Sequence, residues 1–122
     1  MQFVSDLHLE LRKPKHAKMI ARQIMQYKPR GAFMLALLGD IGYRSHMWDL
    51  LETLHSSYKH IVYVLGNHEG YKKCRTLEEA HDAAKALQQD FPNLYVLEKQ
   101  ILTSKKIPEL CGVTLTVIPH SL

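Results

Sequence analysis

At 122 residues the chain has room for one domain with a real hydrophobic core, and its apolar fraction of 46% suits a globular protein. Its longest uninterrupted apolar run, residues 32–38, is far below the roughly 18 residues of a membrane span, and no basic leader with an apolar segment and cleavage site is seen, so a cytoplasmic protein without membrane contact is expected. The formal charge of +4 is uneven, with seven Lys or Arg and no acid between residues 11 and 30.

Residues 2–5 read as a first strand and residues 15–28 as a helix. Ala17, Ile20, Ile24 and Tyr27 make an apolar stripe on that helix, while Lys15, Lys18 and Arg22 fall on the other side. The basic segment is therefore expected to be a solvated helix face rather than a phosphate-binding surface. Pro29-Arg30-Gly31 stops the helix. Residues 32–38 are apolar on both faces, as a central parallel strand should be, and Gly39 marks their end. Met47, Leu50, Leu51 and Leu54 recur at i, i+3, i+4 and i+7, which predicts a second helix over 45–57 with Ser45 as its N-cap.

Residues 60–65 are rich in β-formers and predict a third strand closed by Gly66. Thr76-Leu77-Glu78-Glu79 has the form of a capping box, opening a third helix that buries Leu77, Ala80, Ala84 and Leu87 and ends at Phe91-Pro92-Asn93. Residues 94–97 and 113–118 read as further strands, with a weaker one at 101–102. The alternation of strand and helix implies right-handed βαβ crossovers and a largely parallel sheet, an α/β fold in one domain over residues 1–122. Cys74 and Cys111 are expected to be free thiols, and neither belongs to a Cys-x-x-Cys pair.

Three strings stand just past the first three strands: Asp6-Leu7-His8, Gly39-Asp40 and Gly66-Asn67-His68-Glu69. Parallel strands bring the residues just beyond their carboxyl ends to one rim, where open α/β sheets bind ligands. Two carboxylates, two imidazoles and a carboxamide would meet there, a nitrogen and oxygen set suited to zinc, iron or manganese. Each string alone has an ordinary reading. Asp6 can be a turn residue, Asp40 can close an Asx-turn, and Asn67 can take a positive φ after Gly66. Such readings would need three coincidences at three successive strand ends.

In this order and context the motifs resemble those of the calcineurin-like metallophosphoesterase family, which opens with Asp-x-His, Gly-Asp and Gly-Asn-His-(Asp/Glu). The resemblance covers nearly the whole chain. It implies the N-terminal half of a metallophosphoesterase-type αββα sandwich and two divalent metal ions, Mn, Fe or Zn. By that resemblance Asp6 and His8 bind the first metal, Asp40 bridges both, Asn67 binds the second, and His68 contacts the phosphate and assists the leaving group. A bridging carboxylate offsets repulsion between two dications, and Glu69 is placed to orient the His68 ring.

The family's later motifs, a single His after a strand and a Gly-His-x-His, do not occur in the sequence. The expectation is a phosphoesterase domain truncated before them, supplying about half of the site. His120 comes after a strand that precedes those motifs in the family and is not expected to ligate metal. His16, His46, His55, His60 and His81 are expected in surface or packing roles. Tyr43-Arg44 stands where the protein Ser/Thr phosphatase branch carries Asp-Arg, so that branch is disfavoured. The resemblance thus implies a metal-dependent hydrolase of phosphate mono- or diesters, with a catalytically inactive scaffold of the same fold as the alternative. The basic segment lacks interleaved aromatic platforms for nucleic acid, although a nucleic-acid diester remains open as substrate. A missing C-terminal half or self-association is expected to cover the sheet.

Overall fold

Alternating side-chain direction along four short strands divides the protein into a helix-covered face and an opposite face. The computed structural model describes residues 2–9, 13, 16–31, 33–39, 41–42, 44–65, 77–97, 101–102 and 115–116. Strands β1 (Gln2–Val4), β2 (Met34–Leu38), β3 (His60–Val64) and β4 (Leu94–Leu97) form one parallel sheet in the order β1-β2-β3-β4. Helices α1 (His16–Gln26), α2 (Arg44–Leu54) and α3 (Leu77–Ala86) connect them in turn. Because the strand order never reverses, crossovers of one hand lay every helix on the same side.

The core shows this directly. Leu35, Leu37, Ile61, Tyr63, Leu94 and Val96 from the sheet share one buried cluster with Ala17, Ala21 and Ile24 of α1, Met47, Leu50, Leu51 and Leu54 of α2, and Ala84 of α3. The intervening residues face the other way. Met34, Val62 and Leu97 form a second, smaller cluster joined by Phe33, Val64 and Tyr95. On that face Phe3 is 63% exposed at the β1 edge, in register with Ala36, which pairs in turn with Val62. Residues 34–37 of β2 and 61–63 of β3 are buried on both faces, as the unbroken apolar run at 34–37 predicts, while Leu38 at the carboxyl end of β2 is exposed.

The loops entering the strands are locked at the rim opposite their carboxyl ends. Asn93 donates its side-chain amide to the carbonyls of His55 and Tyr58, over 2.9 and 3.0 Å. The Tyr58 hydroxyl donates to Gln2 Oε1, and Lys28 Nζ donates to the Ser57 carbonyl while lying 4.8 Å from the centroid of the Tyr58 ring.

Two local expectations are corrected. Ser45 lies inside α2, which begins at Arg44, so it is not the N-cap; the predicted span 45–57 divides into α2 and a 3-10 turn at His55–Ser57. Tyr27 leaves the α1 stripe and is 75% exposed. The residue before a proline is driven out of the helical region, α1 ends at Gln26, and Ala21 joins Ala17 and Ile24 as its buried residue instead. Lys18 and Arg22 are exposed on the outer side of α1. The capping residue Thr76 lies outside the described residues. A two-residue strand, β5 (Ile101–Leu102), pairs antiparallel with β6 (Leu115–Thr116), within the span predicted at 113–118.

Candidate functional site

Past Val4 the chain does not leave β2 but runs alongside its continuation. The Asp6 amide donates to the Gly39 carbonyl over 3.0 Å, and the Leu9 amide donates to the Ile41 carbonyl over 2.8 Å. These two bonds tie the ends of the segment 6–9 to Gly39 and Ile41. Between them the backbone curls, with Asp6 at φ 57 and His8 at φ 48. Left-handed conformations disfavour L-residues by roughly 1–2 kcal/mol each, less where a short polar side chain can bond locally, and strained backbone of this kind clusters at ligand sites. The main-chain bonds and the burial of Leu9, which is 1% exposed, offset the strain. Leu7 packs against the main core.

The curl puts the two polar side chains of the first motif on one side of the loop. His8 Nε2 lies 3.8 Å from Asp6 Oδ1, with the His8 side chain 28% and the Asp6 side chain 64% exposed. Both are open to a solute. For ligand bonds of roughly 2.0–2.2 Å in tetrahedral geometry, two donors on one ion stand about 3.3–3.6 Å apart. The observed 3.8 Å is close to that spacing, and a carboxylate with an imidazole suits zinc, iron or manganese. The donor pair therefore fits a divalent cation.

Of the five residues assigned from the motifs, the structure brings Asp6 and His8 together. Asp40, Asn67 and His68 lie outside the described residues, as do Glu69 and His120. Their described neighbours are informative all the same. Gly39 and Ile41, on either side of Asp40 in the sequence, carry the two carbonyls that hold the first motif. Leu65 comes directly after β3, the immediate neighbour of β2 in the sheet. Among the described residues no group of three or more His, Cys, Asp or Glu is placed to hold a metal ion.

Three of the other described histidines are placed by ring contacts or burial away from the first motif. His55 Nδ1 is 2.9 Å from the Leu51 carbonyl and its ring is 5.3 Å from Phe91. The His60 ring is 5.8 Å from Tyr95, and His81 is buried on α3. Motif reading does not contain the anchoring of the first motif by Leu9. An apolar residue one place after Asp-x-His is too ordinary a signal to single out, and positive φ at Asp6 and His8 leaves no mark in the sequence.

No helix among the described residues is long and apolar enough to cross a membrane. A sequence model of the family described as calcineurin-like phosphoesterase matches residues 3–120. An uncharacterized protein, L509, of Acanthamoeba polyphaga mimivirus is 32% identical over 108 residues, which cover 83% of this chain and 39% of that protein. The chain thus spans well under half the length of this relative. No solved structure matches the chain.

Proposed function

Because this chain belongs to the calcineurin-like phosphoesterase family, we propose that it contributes to a divalent-metal site that hydrolyses phosphate mono- or diesters. The observation that carries the reading is the pairing of the first two motifs through the main chain. Asp6 is bonded to the residue before Asp40, and Leu9 to the residue after it. A carboxylate and an imidazole that already fit one cation therefore belong to the loop bonded on both sides of a second carboxylate.

In this reading Asp6 and His8 would hold one ion, Asp40 would be shared between two, and Asn67 would hold the second through its carboxamide oxygen. Manganese, iron and zinc all suit this donor set. When bound, the ions supply a water nucleophile at neutral pH and neutralise charge on the transferring phosphoryl oxygens. His68 contacts the phosphate and gives a proton to the leaving oxygen, and Glu69 fixes the orientation of its ring. Residues 1–122 are read as part of one phosphoesterase domain, a reading supported by the side-by-side parallel placement of β1, β2 and β3, after which the three motifs follow in the sequence.

The test is hydrolysis of p-nitrophenyl phosphate and bis(p-nitrophenyl) phosphate with added Mn2+, using the protein at its full natural length. Asp40→Asn keeps side-chain size and removes the shared charge, and should lower the rate by roughly a hundredfold, the scale seen when one preorganised electrostatic contact is lost. Turnover unaffected by Asp40→Asn would overturn the assignment. A folded protein that binds no metal and turns over neither ester would favour the scaffold alternative.

A further inference from the structure

Gly42 is buried where three segments meet. A Cβ built on it would stand 3.0 Å from Leu9 Cβ and 3.0 Å from His46 Cβ, with His46 Cγ at 3.5 Å. The two nearest atoms are the first carbons of their side chains, so neither can swing away without its backbone. Gly42 is not among the positive-φ glycines, which are Gly31 and Gly39 among the described residues. Space, rather than backbone conformation, restricts a side chain at this position, since Leu9 and His46 would have to give by a few tenths of an ångström.

The two neighbours belong to different elements. His46 belongs to α2, whose Met47, Leu50, Leu51 and Leu54 are sealed in the core. Leu9 is also buried, but its chain continues directly into His8, Leu7 and Asp6, where the curl is held by the two bonds to Gly39 and Ile41. A displacement of Leu9 by a side chain at Gly42 would therefore pass directly into the curl at residues 6–8.

We infer that Gly42 is a positioning residue for the Asp6–His8 pair: its missing side chain lets Leu9 seat against α2, and the seated Leu9 fixes the curl that sets the two donors side by side. The link to catalysis rests on the metal-site reading above, whereas the link between Gly42 and the loop stands on the packing alone. Gly42 touches no substrate or metal in this role and acts only through Leu9.

The experiment compares the wild-type chain with Gly42→Ala, Leu9→Ala and a control, Leu54→Ala, which empties the same core near the far end of α2. Backbone and imidazole NMR resonances of residues 6–9 are recorded without metal, thermal stability is measured in parallel, and Mn2+ affinity is then titrated. Gly42→Ala and Leu9→Ala should shift the Asp6 and His8 resonances and weaken Mn2+ binding about 10- to 100-fold, the range typical when a residue orienting a metal ligand is lost. Leu54→Ala should lower stability while leaving those resonances and the affinity as in wild type. Unchanged Asp6 and His8 resonances in Gly42→Ala, or equal shifts in Leu54→Ala, would overturn the inference. Should Gly42→Ala fail to fold, Leu9→Ala behaving like Leu54→Ala overturns it equally. Absence of Mn2+ binding in the wild type would count against the metal-site reading, with the resonances still deciding the role of Gly42.

Discussion

The backbone N–H of Asp6 reaches the carbonyl of Gly39 across 3.0 Å, so the first motif is fastened to the residue immediately before Asp40. The fastening uses main chain alone. Side-chain changes at Asp6 should therefore alter the chemistry of the site without moving the loop. Asp6→Asn keeps a residue that tolerates the left-handed region and should change folding stability by no more than about 0.5 kcal/mol, the usual range for an exposed position. Its Mn2+ affinity should fall at least about tenfold, since a charged donor becomes neutral. A large loss of melting temperature together with unchanged affinity would show that Asp6 is structural.

Gly39 closes β2 at φ 89 and is buried. A Cβ is disfavoured in the left-handed half of backbone space, so Gly39→Ala should lower stability by roughly 1–2 kcal/mol. Urea titration measures this, and a midpoint equal to that of wild type would mean that the strand end relaxes to accept a side chain.

The opposite rim should behave independently of the site. Asn93 satisfies the carbonyls of both His55 and Tyr58, and its truncation leaves them to find other donors. Asn93→Ala should destabilise the fold by about 1–3 kcal/mol while leaving Mn2+ affinity within about twofold of wild type, because distant sites are usually additive. A parallel loss of affinity would indicate that the two rims are coupled.

Burial raises the Tyr58 phenol above its ordinary pKa of 10.0. The fold thus favours the protonated, neutral ring, whose hydroxyl donates to Gln2. The resulting stabilisation is present in full below about pH 10, the unfolded value, and is lost as pH rises through the higher folded value. Chemical denaturation across the alkaline range should therefore show wild type losing stability more steeply than Tyr58→Phe. Parallel curves would place the alkaline sensitivity elsewhere.

The strands and helices were legible because their signals are periodic. Met47, Leu50, Leu51 and Leu54 recur on one helix face and are all sealed, and the predicted strand at 94–97 coincides with β4. Helix ends were less legible, as Ser45 and Tyr27 show, because a good N-cap residue also fits a first turn and an aromatic at stripe spacing still points outward once the helix has stopped. The motif residues could be named from their place after strands. The way the loop holds them could not be read: the curl at Asp6 and His8 depends on long-range bonds to Gly39 and Ile41 and on the seat of Leu9 beside Gly42, none of which has a local pattern.

The most direct test of the central claim is the location of bound zinc by anomalous X-ray scattering at the zinc edge, in crystals of the protein grown with Zn2+. A shared site at the first motif predicts a peak about 2.0–2.2 Å from both the Asp6 carboxylate and the His8 imidazole, the ordinary lengths of zinc–oxygen and zinc–nitrogen bonds. Strong zinc peaks confined to other histidines, with Asp6 and His8 bare, would contradict it.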